Sequence, residues 1–132
     1  MTGKIYFTAD THFSHRLMME ARGFSTKDAH DSELISRWNQ TIPDDASVYH
    51  LGDFSLCGPH RALEVRKRLN GRVHLVRGSH DKKLSRELYD SFVWVKDYHE
   101  LYVQDADAPR GVREIVLSHT SYAVWDKSHY GS

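Results

Sequence analysis

The chain has one cysteine, three prolines, no excess charge and no long apolar run. Cys57, being alone, excludes an internal disulfide and fits a reducing compartment, so the expectation is a cytoplasmic protein. Eighteen basic residues balance eighteen acidic ones. That balance excludes a global field drawing the chain to nucleic acid or to an anionic membrane, and any contact with a polyanion has to be local. No interleaving of aromatic and basic residues marks a nucleic-acid groove. No stretch approaches the ~20 apolar residues that span a bilayer. Residues 1–9 carry a lysine and meet Asp10 before a signal-type apolar region can form, so no membrane partner is expected. Repeats of solenoid length and low-complexity tracts are also missing. A single domain over residues 1–132 remains, long enough to bury roughly two-thirds of its unfolded surface.

What is present is an alternation of strand and helix patterns, an α/β arrangement. Residues 4–8, 47–51 and 72–77 are β-favouring runs, the second entered through the Pro43-Asp44-Asp45 turn and the third bounded by Gly71 and Gly78. Leu34, Ile35 and Trp38 lie at helical spacing after Ser32, which reads as the cap, and Ala62, Leu63, Val65, Arg66 and Leu69 do so behind Pro59. A β-α-β-α-β order implies parallel strands joined by crossover helices, with the strand carboxyl ends on one rim. A helix near 84–92 and a hairpin of 98–103 with 112–117 complete the expected order.

Metal-seeking side chains follow these strands: Asp10 and His12 after the first, Asp53 after the second, His80 and Asp81 after the third and His119 after the last. Each segment alone also reads as a turn or a cap, since Asp-x-His forms Asx turns and Gly-Asp closes loops. Together they read as a site for two cations, because a phosphate ester repels nucleophiles until its oxygens are neutralised and bound water is acidified. Asp53 is the candidate bridge, since an anionic oxygen between two dications relieves their repulsion. Asp10 and His12, if the extended backbone persists past the strand, complete one side, and His119 serves the other. His80 is the candidate general acid, oriented by Asp81. Arg77, Lys82 and Lys83 bracket that turn as possible phosphate contacts, and His15 is the substrate-facing candidate among the otherwise solvated His15, His30, His60 and His99. His50 and His74 read as core or edge histidines, and His129 as a surface residue.

The order Asp10-Thr11-His12, Gly52-Asp53, Gly78-Ser79-His80-Asp81 and His119 resembles the calcineurin-like metallophosphoesterase superfamily. The phrases at 6–13 and 48–54 resemble its small bacterial and phage members. The resemblance implies a four-layer α/β/β/α sandwich with a dinuclear site at the sheet rim, holding manganese, iron, zinc or nickel. It implies hydrolysis of phosphomonoesters or phosphodiesters, with a small phosphate ester or nucleotide as substrate. It also places Ser79 where the family has an asparagine ligand of the second metal, which implies a weaker second site. The family pattern closes on Gly-His-x-His, which does not occur before Ser132, so the expectation is a C-terminally incomplete domain. The alternatives are a non-catalytic relative that binds phosphate, a nucleotide or a partner, and an inactive fragment.

Overall fold

A computed structural model describes residues 4–55, 59–78, 81 and 84–119, with the side chain of residue 59 excepted. Its elements follow in the order β1 (Ile5–Thr8), α1 (Arg16–Ala21), α2 (Lys27–Thr41), β2 (Ser47–His50), α3 (Pro59–Arg68), β3 (Arg72–Val76), α4 (Arg86–Ser91), β4 (Val95–Lys96), β5 (His99–Gln104) and β6 (Val112–Leu117). Strands β1 to β4 form a parallel sheet in chain order, and β5 and β6 form a separate antiparallel pair. The molecule is therefore mixed α/β. Register sets Thr8 opposite His50 and His50 opposite Leu75, so the carboxyl ends of the first three strands lie side by side.

Alternation divides the parallel sheet into two working faces. Val48, Val73 and Leu75 meet Ile35 and Trp38 of α2, Ala62 and Val65 of α3, and Leu88 and Phe92 at the α4 end, forming the main core. Tyr49 and Val76 point the other way, onto Leu101 of β5 and Ile115 and Leu117 of β6. The layers are helices, parallel sheet and antiparallel hairpin. None of the helices among the described residues is long and apolar enough to cross a membrane.

The expected strands and the hairpin are found within a residue or two of their boundaries. The second helix differs: it starts at Lys27 with Thr26 as its cap, the Thr26 hydroxyl accepting from Ala29 N at 3.0 Å, and Ser32 lies inside it. Two short elements, α1 and β4, were not expected from the sequence. Cys57, Lys82, Lys83 and His129 lie outside the described residues.

Candidate metal centre

Parallel strands bring the segments after β1, β2 and β3 to one rim, where backbone hydrogen bonds join the first two beyond the sheet itself. Asp10 N donates to Gly52 O at 2.8 Å, His12 N to Asp53 O at 3.0 Å and Phe13 N to Phe54 O at 2.9 Å. The backbone is not extended there. Asp10, His12 and Ser14 have φ of 56°, 51° and 59°, and Asp53 has 53°. The left-handed region disfavours side chains, so these torsions persist only because the surroundings impose them. Asp10 and His12 are brought together by this alternating turn, and not by the strand continuation the sequence suggests.

The ligand atoms of Asp10, His12 and Asp53 lie within 4.8 Å of one another. His12 Nε2 is 3.8 Å from Asp10 Oδ1 and 3.9 Å from Asp53 Oδ2. His119 Nε2 approaches the same Asp53 oxygen at 3.4 Å. The Asp53 carboxylate thus stands between two imidazole nitrogens. Two donors bonded to one ion at ordinary zinc distances stand about 3.0–3.4 Å apart in tetrahedral or octahedral geometry. The observed spacings are near that range and longer than good hydrogen bonds. The nitrogen and carboxylate donor set and its spacing fit a divalent first-row cation.

Protonation favours ligation. Burial pushes the His12 imidazole below its usual pKa, against the opposing pull of Asp53, which favours the neutral ring and its lone pair. The His119 Nδ1–H donates to Leu51 O at 2.7 Å, and Nε2, which carries the lone pair of the Nδ1–H tautomer, is turned to Asp53. Asp10 is more exposed than Asp53, so the centre opens on the Asp10 side.

Buried polar groups hold this geometry. Asp81 is almost wholly buried; its Oδ2 accepts from Asp53 N at 2.7 Å and Gly78 N at 2.8 Å, and its Oδ1 from Phe54 N at 3.0 Å. The orienting partner expected for it, His80, lies outside the described residues, as does Ser79. What Asp81 does visibly is clamp the loops after β2 and β3 together. His50 is buried between Thr11 Oγ1, at 2.9 Å from its Nε2, and Gly52 N, which donates to its Nδ1 at 3.1 Å. Burial pushes its pKa down to about 3.

A second network backs the loop at 10–14. Arg22 donates to Thr11 O at 2.8 Å, to Asp10 O at 2.9 Å and to His30 Nε2 at 2.8 Å. His30 Nδ1 faces Asp31 Oδ1 at 2.9 Å, and Asp31 accepts from Ser14 N and Oγ and from Arg61. Burial raises the Asp31 carboxyl, but the bonds from Ser14, His30 and Arg61 outweigh it and hold the group below the ordinary carboxylate range. Neither His30 nor His15 is solvated as the sequence suggests. His30 is fully buried; His15 is buried, caps α1 by accepting from Met18 N at 3.3 Å, and sets its ring edge-on to His12 at 5.1 Å. His99 is half-buried against Trp94. Arg77 gives two hydrogen bonds to Asp97, at 2.9 and 3.1 Å.

No family model matches the chain. It is 39% identical over 83 residues to an uncharacterized protein of Methanocaldococcus jannaschii, a match covering 60% of this chain and 47% of that protein. It is 34% identical over 80 residues to the Gene 66 protein of Mycobacterium phage L5, covering 58% and 39%, and 32% identical over 81 residues to the Gene 66 protein of phage D29, covering 59% and 40%. The matched region therefore spans less than half of each of these relatives. Among solved structures, a protein of unknown function from Aquifex aeolicus superposes with a TM-score of 0.64 at 26% identity, over 88% of this chain and 60% of that one. The chain thus shares its fold with a bacterial protein, and part of its sequence with archaeal and phage proteins whose names carry no activity.

Proposed function

We propose that the chain is a calcineurin-like metallophosphoesterase that hydrolyses phosphomonoesters or phosphodiesters at a dinuclear metal centre. The observation carrying this reading is the Asp53 carboxylate set between the Nε2 atoms of His12 and His119. Asp10 and His12 would hold one cation, His119 the other, and Asp53 both. When bound, divalent cations such as manganese, iron, zinc or nickel supply charge neutralisation and an acidified water. The chain's own residues do the rest. The buried face of the site, made by Asp53, His50 and Asp81, excludes water from behind, while the open Asp10 side admits a small phosphate ester or nucleotide. His80 is the proposed general acid, and Gly78 and Asp81 on either side of it in sequence are tied to Asp53, whose N, like Gly78 N, donates to Asp81 Oδ2. His15 and Arg77 are the proposed substrate contacts. In this reading the helix, sheet and hairpin layers are the first three of a four-layer α/β/β/α sandwich.

The test is hydrolysis of bis-p-nitrophenyl and p-nitrophenyl phosphate by the full-length protein with added manganese. A metal-dependent rate, lost in Asp53→Asn, supports the proposal, and no such rate in the wild type overturns it. Ser79 favours a second reading, a phosphate-binding relative without catalysis, because a hydroxyl is a poorer ligand than the family's carboxamide. Ser79→Asn separates the two: a large gain in rate supports the enzyme, and metal binding without any gain supports the binding protein.

A further inference from the structure

All three residues in the ligand cluster have positive φ, and the peptides between Asp10 and His12 are held by a side chain that sequence reasoning does not select. Arg22 ends α1; its N–H bonds Met18 O at 2.9 Å, and Gly23, at φ 85°, turns the chain away immediately after it. That placement aims its guanidinium at the carbonyls of Asp10 and Thr11, the two peptides flanking Thr11. Turning either peptide over would change ψ of Asp10 or φ of His12 and carry one ligand out of the cluster. Nη1, which donates to Thr11 O, also meets His30 Nε2, and His30 is fixed in turn by Asp31. Asp31 also takes Ser14 N and Oγ, so both ends of the loop are tied to one buried carboxylate network.

A guanidinium beside a centre for two cations is unfavourable by Coulomb repulsion. The contacts that hold it are to carbonyl oxygens and an imidazole nitrogen, so its role is geometric. We infer that Arg22 is a positioning residue whose planar fork, fixed by His30, locks the Asp10-Thr11-His12 backbone in its ligand-presenting form. The inference rests on the metal-centre reading for its purpose, but the locking is a property of the metal-free chain. A lysine ammonium, a point donor on a flexible stem, does not reproduce a planar fork that spans two carbonyls and a ring nitrogen.

The test uses Arg22→Lys and Arg22→Ala in the full chain, with amide hydrogen exchange measured without metal and Mn²⁺ affinity measured by calorimetry. The amides of Asp10, His12 and Phe13 report the loop, and those of Leu75 and Val93 report the parallel sheet. In both variants exchange at the three loop amides should quicken by about 10-fold or more while the sheet amides hold, as local opening without global unfolding requires. Mn²⁺ affinity should fall by about 10- to 100-fold, the usual effect of losing a group that orients ligands. If Arg22→Ala does not fold, Arg22→Lys carries the test. Unchanged loop exchange in the folded variants overturns the inference, as does faster exchange with unchanged Mn²⁺ affinity. A wild type that binds no Mn²⁺ overturns the metal centre instead, and loop exchange still decides whether Arg22 locks the backbone.

Discussion

Gly78 is required by contact and not by torsion. A Cβ there would lie 2.5 Å from Asp53 Oδ1 and 2.6 Å from Asp53 N, and one on Gly52 would lie 2.5 Å from His119 Nδ1. We expect Gly78→Ala to destabilise the protein by about 1–3 kcal/mol, as overpacking does, and to weaken Mn²⁺ binding. Urea unfolding and calorimetry check the two effects; unchanged Mn²⁺ affinity would place Asp53 outside the centre. At this scale the sequence exposes candidate ligands but not their supports. Asp10, His12, Asp53 and His119 are legible because their chemistry is rare at strand ends and recurs at several. Arg22, His30 and Asp31 look like ordinary polar residues of helical stretches, and only the burial of His30 and Asp31 and the bonds that join all three make them a network. His15 is half-legible for the same reason: closeness to His12 in sequence places it near the site but does not reveal that its ring is buried and caps a helix.

Helix α2 shows why element boundaries are harder to read than element existence. Its N-terminal half buries His30 and Asp31, so the inward face there is polar and the apolar period begins only at Leu34. A reader following apolar spacing starts the helix late and takes Ser32 as its cap. The structure separates the two candidates. Thr26→Ala should cost about 1 kcal/mol of stability, the usual value for a lost cap. Ser32→Ala should be near neutral, since alanine is the better helix former inside a helix. Thermal denaturation of both variants checks this, and a larger loss for Ser32→Ala would contradict the boundary. Helix α1 escapes notice because six residues bury only Met19, too little for a period. Strand β4 escapes because two residues have no alternation to show.

The order of the whole molecule, parallel units followed by a hairpin, is legible because connection type dictates strand direction. How the buried histidines respond to acid is not, because that depends on packing. His50 has a folded pKa of about 3 against an ordinary value of 6.5, so below pH 6.5 the unfolded chain takes up a proton that the folded chain refuses. Its contribution is complete above pH 6.5 and declines as pH falls toward 3, at about 1.4 kcal/mol per pH unit at most. We expect urea midpoints of the wild type to fall over that window more steeply than those of His50→Asn, which is less stable at pH 7 but binds no such proton. Equal slopes would show that the folded ring titrates normally. One feature reaches further. His119 arrives on β6, held against the parallel sheet by the small cluster of Tyr49, Val76 and Leu117, whereas Asp10, His12 and Asp53 belong to loops of that sheet. If the proposed dinuclear centre forms, Leu117→Ala, by loosening the hairpin, should let the protein load a single ion in place of the expected pair, a change native mass spectrometry would count. Stoichiometry in this protein would then be governed by sheet docking, with one half of the centre surviving mild heat or denaturant after the other has dispersed.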